Sequence, residues 1–118
     1  DLLGTDWSGS AYEYAFTTKK PVLFVDTPMK VMNPEYQKID TVPINIWMRD
    51  VIGDRLDPAK TEETESKVRN LLEQKDAYHD RIEKFVEEYV YNLGNSAEVG
   101  AKYIVQAAQE QIKKAKEQ

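Results

Sequence analysis

The feature that most constrains the fold is a continuous apolar run, Val22-Leu23-Phe24-Val25, with Pro21 before it and Asp26 after it. An unbroken run of such residues is typical of a strand that is buried on both faces, as in a parallel sheet. Upstream, Leu2-Leu3 leads into the polar turn Thr5-Asp6-Trp7-Ser8-Gly9-Ser10, and an amphipathic segment follows that turn. The order strand, turn, helix, strand predicts a βαβ unit.

The turn of this unit has the residue types of a phosphate-binding helix N-terminus. Ser8 is the predicted N-cap of a helix that runs to about Thr18, and Gly9 has no Cβ to keep a ligand from the backbone. The first N–H groups of a helix lack partners within the helix, and the helix dipole favours negative charge there. Ser8 and Ser10 add hydroxyl groups, and Glu13 can accept hydrogen bonds from ribose hydroxyls. The pattern indicates a nucleotide-diphosphate site, although an ordinary cap that binds nothing has the same composition.

A second candidate part of the site follows the apolar strand. Asp26-Thr27-Pro28 lies at the carboxyl end of that strand, where open α/β sheets bind ligands. The alternative for Asp26 is a simple cap of the turn before Pro28. Residues 29–40 are predicted to form a long irregular loop with a turn at Asn33-Pro34, and long loops in compact domains are often functional.

Three runs in the first third of the chain, DLLGTDWSGSAYEYAF, KKPVLFVDTP and NPEY, resemble the C-terminal part of the CDP-glycerol glycerophosphotransferase family, of the teichoic-acid polymerase type. That family has the pattern Ser/Thr-Asp-aromatic-Ser-small, followed by an acidic residue. The matching positions are Thr5, Asp6, Trp7, Ser8, Gly9 and Glu13. The later run YNLGNSAEVGAKYI resembles the stretch before the last helix of the family. Gly4 departs from the pattern, since a bulky apolar strand residue is usual there.

The resemblance implies a partial Rossmann-like C-terminal domain of the two-domain glycosyltransferase type, which holds the nucleotide donor. It implies that Ser8 and Gly9 face the donor pyrophosphate and Glu13 the ribose, with Thr5 and Asp6 as further candidates. The implied enzyme transfers a polyol phosphate from CDP-glycerol, or a similar donor, to a free or lipid-linked hydroxyl acceptor in cell-wall or surface-polymer synthesis. No cofactor is expected. The catalytic histidines of the family precede the matching segment, so the catalytic residues stay unassigned and this chain alone is expected to be inactive.

Composition argues against several kinds of partner. The formal net charge is −5, whereas nucleic acids and anionic lipids are bound by basic surfaces. Cysteine is absent and the single histidine, His79, lies among polar residues, so no metal site is expected. No apolar run approaches the roughly 20 residues of a membrane span. We therefore expect a cytoplasmic protein, attached to the inner face of the membrane, if at all, through parts outside this sequence.

The start of the chain predicts that it belongs to a longer protein. Asp1 takes the place of an initiator Met, and the sequence opens directly into a predicted strand. Because a parallel sheet needs more than two strands, we expect the missing strands to come from upstream sequence or from another copy of the chain.

The rest of the chain is predicted to be mostly helical. Ile44 to about Val51 is predicted as a helix, with a short strand as the alternative, and Ile52-Gly53-Asp54 is predicted to break it. Arg49 could reach a phosphate, although an exposed salt bridge is the commoner role of such a residue and is expected here. Further helices are predicted from Asp57-Pro58, where a narrow apolar stripe indicates a surface helix, and then at 78–93 and 95–116. The chain would thus be α/β over 1–56, with a helical tail over 57–118.

Two other functions remain open at this point. One is a glycosyltransferase with a nucleotide-sugar donor. The other is a non-catalytic interaction module, able to associate with itself, built on the amphipathic helices between Tyr78 and Ile112. In the last helix, six apolar positions are expected to face inward: Val99, Tyr103, Ile104, Ala107, Ala108 and Ile112.

Overall fold

A computed structural model describes residues 1–117 and has an α/β fold. Its sheet contains three parallel strands in the order β1 (Leu3–Thr5), β2 (Val22–Val25) and β3 (Gly53–Leu56). Val22 pairs with Leu3 on one side and with Gly53 on the other, so β2 is the central strand. The predicted βαβ unit is confirmed. The third strand corrects the sequence prediction, because Gly53 begins a strand of the chain itself instead of a simple break.

The helices are α1 (Ser10–Thr18), α2 (Ile44–Trp47), α3 (Arg49–Ile52), α4 (Thr64–Glu73), α5 (Lys75–Tyr89) and α6 (Ser96–Lys116). The helical prediction for 44–51 is confirmed over the strand alternative, although Met48 separates two short helices there. The helix predicted from Asp57 begins later, because Asp57 Oδ1 accepts a hydrogen bond from the N–H of Ala59 at 2.9 Å and forms a turn. One-turn 3-10 helices occupy Tyr36–Lys38 and Thr61–Glu63.

The chain divides into two compact units, Asp1–Val86 and Glu87–Gln118. In the first unit, β2 is the centre of the core. The exposed fractions of its Val22, Leu23 and Phe24 are 0 %, 4 % and 1 %, as expected for a strand covered on both faces. Ala11 and Ala15 are fully buried on one face of α1, and their small side chains let the helix lie close to the sheet.

The helices after β3 complete this core. Leu71 of α4 and Ile82 of α5 are both fully buried, so the prediction that α4 is only a surface helix is wrong at Leu71. Phe85 of α5 stacks on Phe16 of α1 with ring centroids 5.8 Å apart. Such buried side chains each contribute about 1.5–3 kcal/mol to folding, which explains how a three-stranded sheet holds together.

Gly53 is the position where the sheet tolerates no side chain. A Cβ on Gly53 would lie 1.8 Å from the carbonyl oxygen of Val22, far inside van der Waals contact. The glycine that the sequence marks as a helix break is therefore required for close pairing of β3 with the central strand.

The second unit contains the long helix α6. The structure places no residue of α6 in the buried class, and only Ala107 is half-buried. The prediction that six apolar positions of this helix face inward is therefore wrong for five of them, Val99, Tyr103, Ile104, Ala108 and Ile112. The helix predicted at 78–93 ends earlier, because α5 ends at Tyr89, and Asn92 and Gly94, which have positive φ, form the turn to α6.

Candidate functional site

The carboxyl ends of β1 and β2 bring the predicted site segments to one edge of the sheet. The indole N–H of Trp7, just after β1, donates to the carbonyl oxygen of Thr27 at 2.7 Å. This bond ties together the loops that follow the two strands. Thr5 is the last residue of β1 and pairs with Phe24, and Asp6 beside it is exposed. The structure thus places the predicted residues Thr5, Asp6 and Thr27 at the ligand-binding edge of a parallel sheet.

The Ser8-Gly9-Ser10 turn differs in one respect from the sequence prediction. Helix α1 begins at Ser10, so Gly9 occupies the N-cap position, with no side-chain cap hydrogen bond. Ser8, the predicted N-cap, lies one residue earlier. Its Oγ accepts from the backbone N–H of Ser10 at 3.3 Å and lies 3.1 Å from Ser10 Oγ. The two serine hydroxyls therefore form a pair on the exposed side of the turn.

The backbone N–H groups of this turn are only weakly satisfied. Those of Ala11 and Glu13 donate to the carbonyls of Ser8 and Gly9 at 3.3 and 3.4 Å, and that of Tyr12 donates to Gly9 at 3.1 Å. Two of these three distances exceed the ordinary N–H···O range of about 2.7–3.2 Å. A Cβ on Gly9 would meet no atom within 4 Å. The turn is therefore open on the Cβ side of Gly9, and an anion that used these N–H groups would compete with long hydrogen bonds inside the turn.

Glu13 lies in the first turn of α1 and is exposed. The cavity described below does not include Glu13, Ser8, Gly9 or Ser10 in its wall. The phosphate and ribose candidates therefore share an open surface at the start of α1 and are not enclosed in a pocket.

Arg49, expected in an exposed salt bridge, is instead buried beneath this edge. Its side chain is 2 % exposed, and its Nη2 lies 2.8 Å from Oδ1 of Asp26. The guanidinium carbon lies 3.8 Å from the centre of the Trp7 ring and 4.8 Å from that of Phe24. An arginine can stack on aromatic faces while it pairs with a carboxylate. No local sequence signal indicates this burial, because Trp7, Phe24 and Asp26 lie far from Arg49 in the sequence.

Asp26 therefore has a structural partner outside the turn in which it lies. The 2.8 Å approach of Arg49 lacks the alignment of a hydrogen bond, and Arg49 Nε and Nη2 are buried with no hydrogen-bond partner among residues 1–117. Charge and ring contacts thus hold the guanidinium. Removing one member of such a buried pair is costly, because the other charge stays behind.

Two more charged groups complete the cluster. Arg55 Nη1 lies 3.8 Å from Oδ2 of Asp26, and Arg55 Nε lies 2.8 Å from Oδ1 of Asp50. We call Asp26, Arg49, Asp50 and Arg55 the strand-end ion cluster. Its two positive and two negative charges cancel, so it supplies no net positive charge for a phosphate. Any attraction for an anion at this edge must come mainly from the turn N–H groups and the dipole of α1.

Tyr12 connects α1 to the segment before α3. Its hydroxyl donates to the carbonyl oxygen of Asn45 at 2.9 Å. Burial raises the pKa of this hydroxyl, and the positive charge of Arg49 opposes part of the rise. Tyr12 therefore remains a neutral donor at physiological pH and holds α2 near the open turn.

A cavity of about 280 Å³ lies beside Trp7. Its wall is mainly apolar and aromatic and comes largely from the loop after β2: Trp7, Met29, Lys30, Val31, Met32, Asn33, Tyr36, Pro43, Asn45 and Ile46. The long loop predicted to be irregular thus forms one side of a concave surface. Ligand pockets commonly combine such apolar walls with a few polar groups.

The described residues offer few groups for acid–base catalysis or metal binding outside this edge of the sheet. The imidazole of His79 is 51 % exposed, in agreement with its predicted solvation, and lies 3.4 Å from Asp80. Within residues 1–117, no three acidic, histidine or cysteine side chains gather as a metal ion would require. The same residues contain no helix with the length and apolar character needed to cross a bilayer.

Comparison of the chain with protein-family models, with curated proteins and with solved structures gives no match. The resemblance to the glycerophosphotransferase family therefore remains a prediction from the residues.

Proposed function

We propose that the carboxyl edge of the sheet binds a nucleotide-diphosphate donor such as CDP-glycerol, and that the chain is the donor-binding part of a glycerophosphotransferase-like enzyme. The observation that carries the proposal is the turn at Gly9, where two of three backbone hydrogen bonds are long and a Cβ on Gly9 would meet no atom within 4 Å. This turn follows the first strand of a parallel βαβ unit, the arrangement in which helix N-termini bind phosphate.

In this proposal, the pyrophosphate lies against Ser8, Gly9 and Ser10. The paired serine hydroxyls can turn toward a phosphate oxygen, because both are exposed and their mutual contact is 3.1 Å long. Glu13 binds the ribose hydroxyls from the first turn of α1, and Thr5 and Asp6 support the turn from the end of β1. Hydrogen bonds to a charged phosphate are stronger than those between neutral groups, so the ligand can compete with the existing weak contacts.

The Trp7-lined cavity is the natural place for the flat, less polar part of the donor. Trp7 precedes Ser8 directly, and the cavity wall also carries the exposed Tyr36 ring and the amide of Asn45. Aromatic side chains stack on bases, and amides can bond to their polar edges. The neutral ion cluster beneath Trp7 holds the indole in place from the side of the sheet.

The chemical role of these groups would be to position the donor and to stabilise charge. An acceptor hydroxyl oxygen attacks the glycerol-bearing phosphorus, the phosphoanhydride bond breaks, and the nucleoside monophosphate leaves with the bonding electrons. The turn N–H groups would stabilise the negative charge on that leaving phosphate. The acceptor-binding site and the general base that takes the hydroxyl proton would come from parts of the enzyme outside this sequence. A cytoplasmic location suits a nucleotide-activated donor.

Addition of CDP or CDP-glycerol to the isotope-labelled chain tests this function. We expect amide shifts centred on Ser8 to Glu13 and a shift of the Trp7 indole N–H in two-dimensional NMR spectra. A larger response to UDP than to CDP would favour a nucleotide-sugar donor. Shifts confined to other regions, or no shifts at millimolar nucleotide, would contradict the proposal.

A serine double variant tests the phosphate contact. Ser8→Ala with Ser10→Ala should weaken nucleotide binding by about 1–3 kcal/mol if both hydroxyls bond the phosphate. The control is Thr17→Ala, which removes an exposed hydroxyl at the other end of α1 and should leave affinity unchanged. Equal affinity of the double variant and the control would rule out the serine contact.

A further inference from the structure

Helix α6 presents an apolar face to water. The exposed fractions of Ile104, Val105 and Ile112 are 68 %, 56 % and 56 %. With 3.6 residues per turn, these three side chains lie on the same side of the helix as Ala101 and Ala108. Most of the stability of helices in proteins comes from packing of such a face. The face is therefore suited to contact with another apolar surface.

The spacing on this face is that of a helix that pairs with another helix. Ala101, Ala108 and Ala115 recur every seven residues, and Ile104, Val105 and Ile112 lie between them. A seven-residue repeat keeps one seam of a helix facing its partner over its whole length. Small alanines alternating with larger residues let two helices approach closely, with the large side chains of one opposite the small ones of the other.

The charges along α6 indicate which partner fits. Glu98 lies in the first turn, and the last turn carries Lys113, Lys114 and Lys116. Glu98 also pairs with Lys102 within the helix at 2.6 Å, so the first turns are nearly neutral and the last turn is positive. An antiparallel second copy keeps the two positive ends apart and brings each of them beside a Glu98, whereas a parallel copy places the two positive ends together. Antiparallel packing also brings opposite ends of the two helix dipoles together.

We propose that α6 pairs with α6 of a second copy of this chain in an antiparallel arrangement. With the helix centres aligned, Ala101 lies near Ile112 of the partner copy and Val105 near its Ala108. On the flank of this seam, Glu98 lies beside the lysines at the end of the partner helix. This surface belongs to the second unit, whereas the residues proposed to bind the nucleotide belong to the first.

Sedimentation velocity of the full chain over a range of concentrations tests the pairing. The natural chain should change from monomer to dimer as its concentration rises. Ile112→Glu buries a charge in the seam and should raise the dissociation constant about a hundredfold or more. The matched control is Val99→Glu, an aliphatic residue on the opposite side of α6, which should leave dimerisation intact. A natural chain that stays monomeric at all concentrations overturns the proposal.

Charge reversal tests the antiparallel direction. Glu98→Lys should raise the dissociation constant about tenfold at low salt, since two symmetric pairs are lost and exposed pairs are modest individually. Adding Lys113→Glu and Lys116→Glu to Glu98→Lys should restore affinity. A high salt concentration should reduce both the loss of affinity in Glu98→Lys and its recovery in the triple variant. A triple variant that binds more weakly than Glu98→Lys alone contradicts antiparallel pairing.

Site-directed cross-linking gives a second test that does not depend on disruptive charges. The natural chain contains no cysteine, so single cysteine variants report one position each. Under mild oxidation, a mixture of the Ala101→Cys and Ile112→Cys variants should form mainly mixed dimers. Mainly homotypic cross-links would indicate a parallel seam and would overturn the proposal, as would the absence of cross-links at concentrations where the chain is dimeric.

Discussion

The central strand and the last helix both present an apolar surface, but the two surfaces have different environments. In β2, Val22, Leu23 and Phe24 are almost completely buried between sheet neighbours and helices. In α6, Ile104 is 68 % exposed, although its helix has a clear apolar face. The comparison shows that an apolar pattern specifies the type of element and the face to be covered. The pattern does not specify whether the surface that packs against that face belongs to the same chain.

Charged side chains also differ in burial between the sheet edge and α6. Arg49 is buried against Trp7 and pairs with Asp26 beneath the sheet edge. In α6, Lys102 and Glu98 form an exposed pair across one helical turn, which contributes only a few tenths of a kcal/mol. Arg49 is therefore part of the folded core, whereas the charges of Glu98 and Lys102 stay in water.

Gly53→Ala should produce the largest effect of all, because its Cβ would lie 1.8 Å from the main chain of the central strand. We expect a loss of more than about 4 kcal/mol in the free energy of unfolding, measured by urea denaturation. Gly4→Ala is the control, since a Cβ there meets nothing within 4 Å. Similar stability of the two variants would mean that β3 does not pair with β2 in this register.

The comparison of buried and exposed apolar residues is tested directly by the variants Ile82→Ala and Ile104→Ala. Ile82 is fully buried, so its truncation should cost about 2–5 kcal/mol. Ile104→Ala should change the stability of the monomer by less than about 0.5 kcal/mol. Chemical denaturation at a protein concentration that keeps the chain monomeric gives both values. A decrease of several kcal/mol in the free energy of unfolding of Ile104→Ala would show that Ile104 is packed within the monomer.

Arg49→Met should lower the free energy of unfolding by about 2 kcal/mol, since it leaves Asp26 without its closest cation. The loss is below the usual range for a fully buried pair, because Asp26 is 35 % exposed and Arg55 lies near it. Arg69→Met removes an exposed pair with Glu65 and should cost less than about 0.5 kcal/mol. Equal losses for the two variants would contradict the distinction between buried and exposed charges.

Gly100→Ala should have the smallest effect and the opposite sign. Gly100 lies inside α6, and a Cβ there meets nothing within 4 Å. Alanine is favoured over glycine in a helix interior by about 0.8–1 kcal/mol, so circular dichroism should show higher helicity and a higher melting temperature for α6. A decrease in helicity would indicate that the close approach of another backbone requires this glycine.

The sequence predicts the βαβ unit well because its signals are local. The apolar run of β2, the turn before α1 and Pro21 each act within a few residues, and β1 and β2 are where they are expected. The prediction is wrong by one residue at the helix cap, because Gly9 and not Ser8 precedes the first helical residue. The third strand is missed because Gly53-Asp54-Arg55-Leu56 has the composition of a loop and becomes a strand only by pairing with β2.

The candidate site is likewise predictable from the sequence only where its residues are neighbours along the chain. Ser8, Gly9, Ser10 and Glu13 are recognisable from their residue types around a helix start. Burial of Arg49 and the cavity beside Trp7 depend on contacts between segments far apart in the sequence. A charged residue in a short helix is exposed by default, and only the positions of Trp7, Phe24 and Asp26 make burial of Arg49 favourable.

Backbone preference and periodicity act over short distances, so the residues alone specify the strand–helix alternation, the composition of the turn after β1 and the apolar faces of the later helices. Three features emerge only in the folded chain: the pairing of Gly53 with the central strand, the burial of Arg49 and the exposure of the apolar face of α6. These outcomes depend on which surfaces meet, and no local stretch of the chain contains that information.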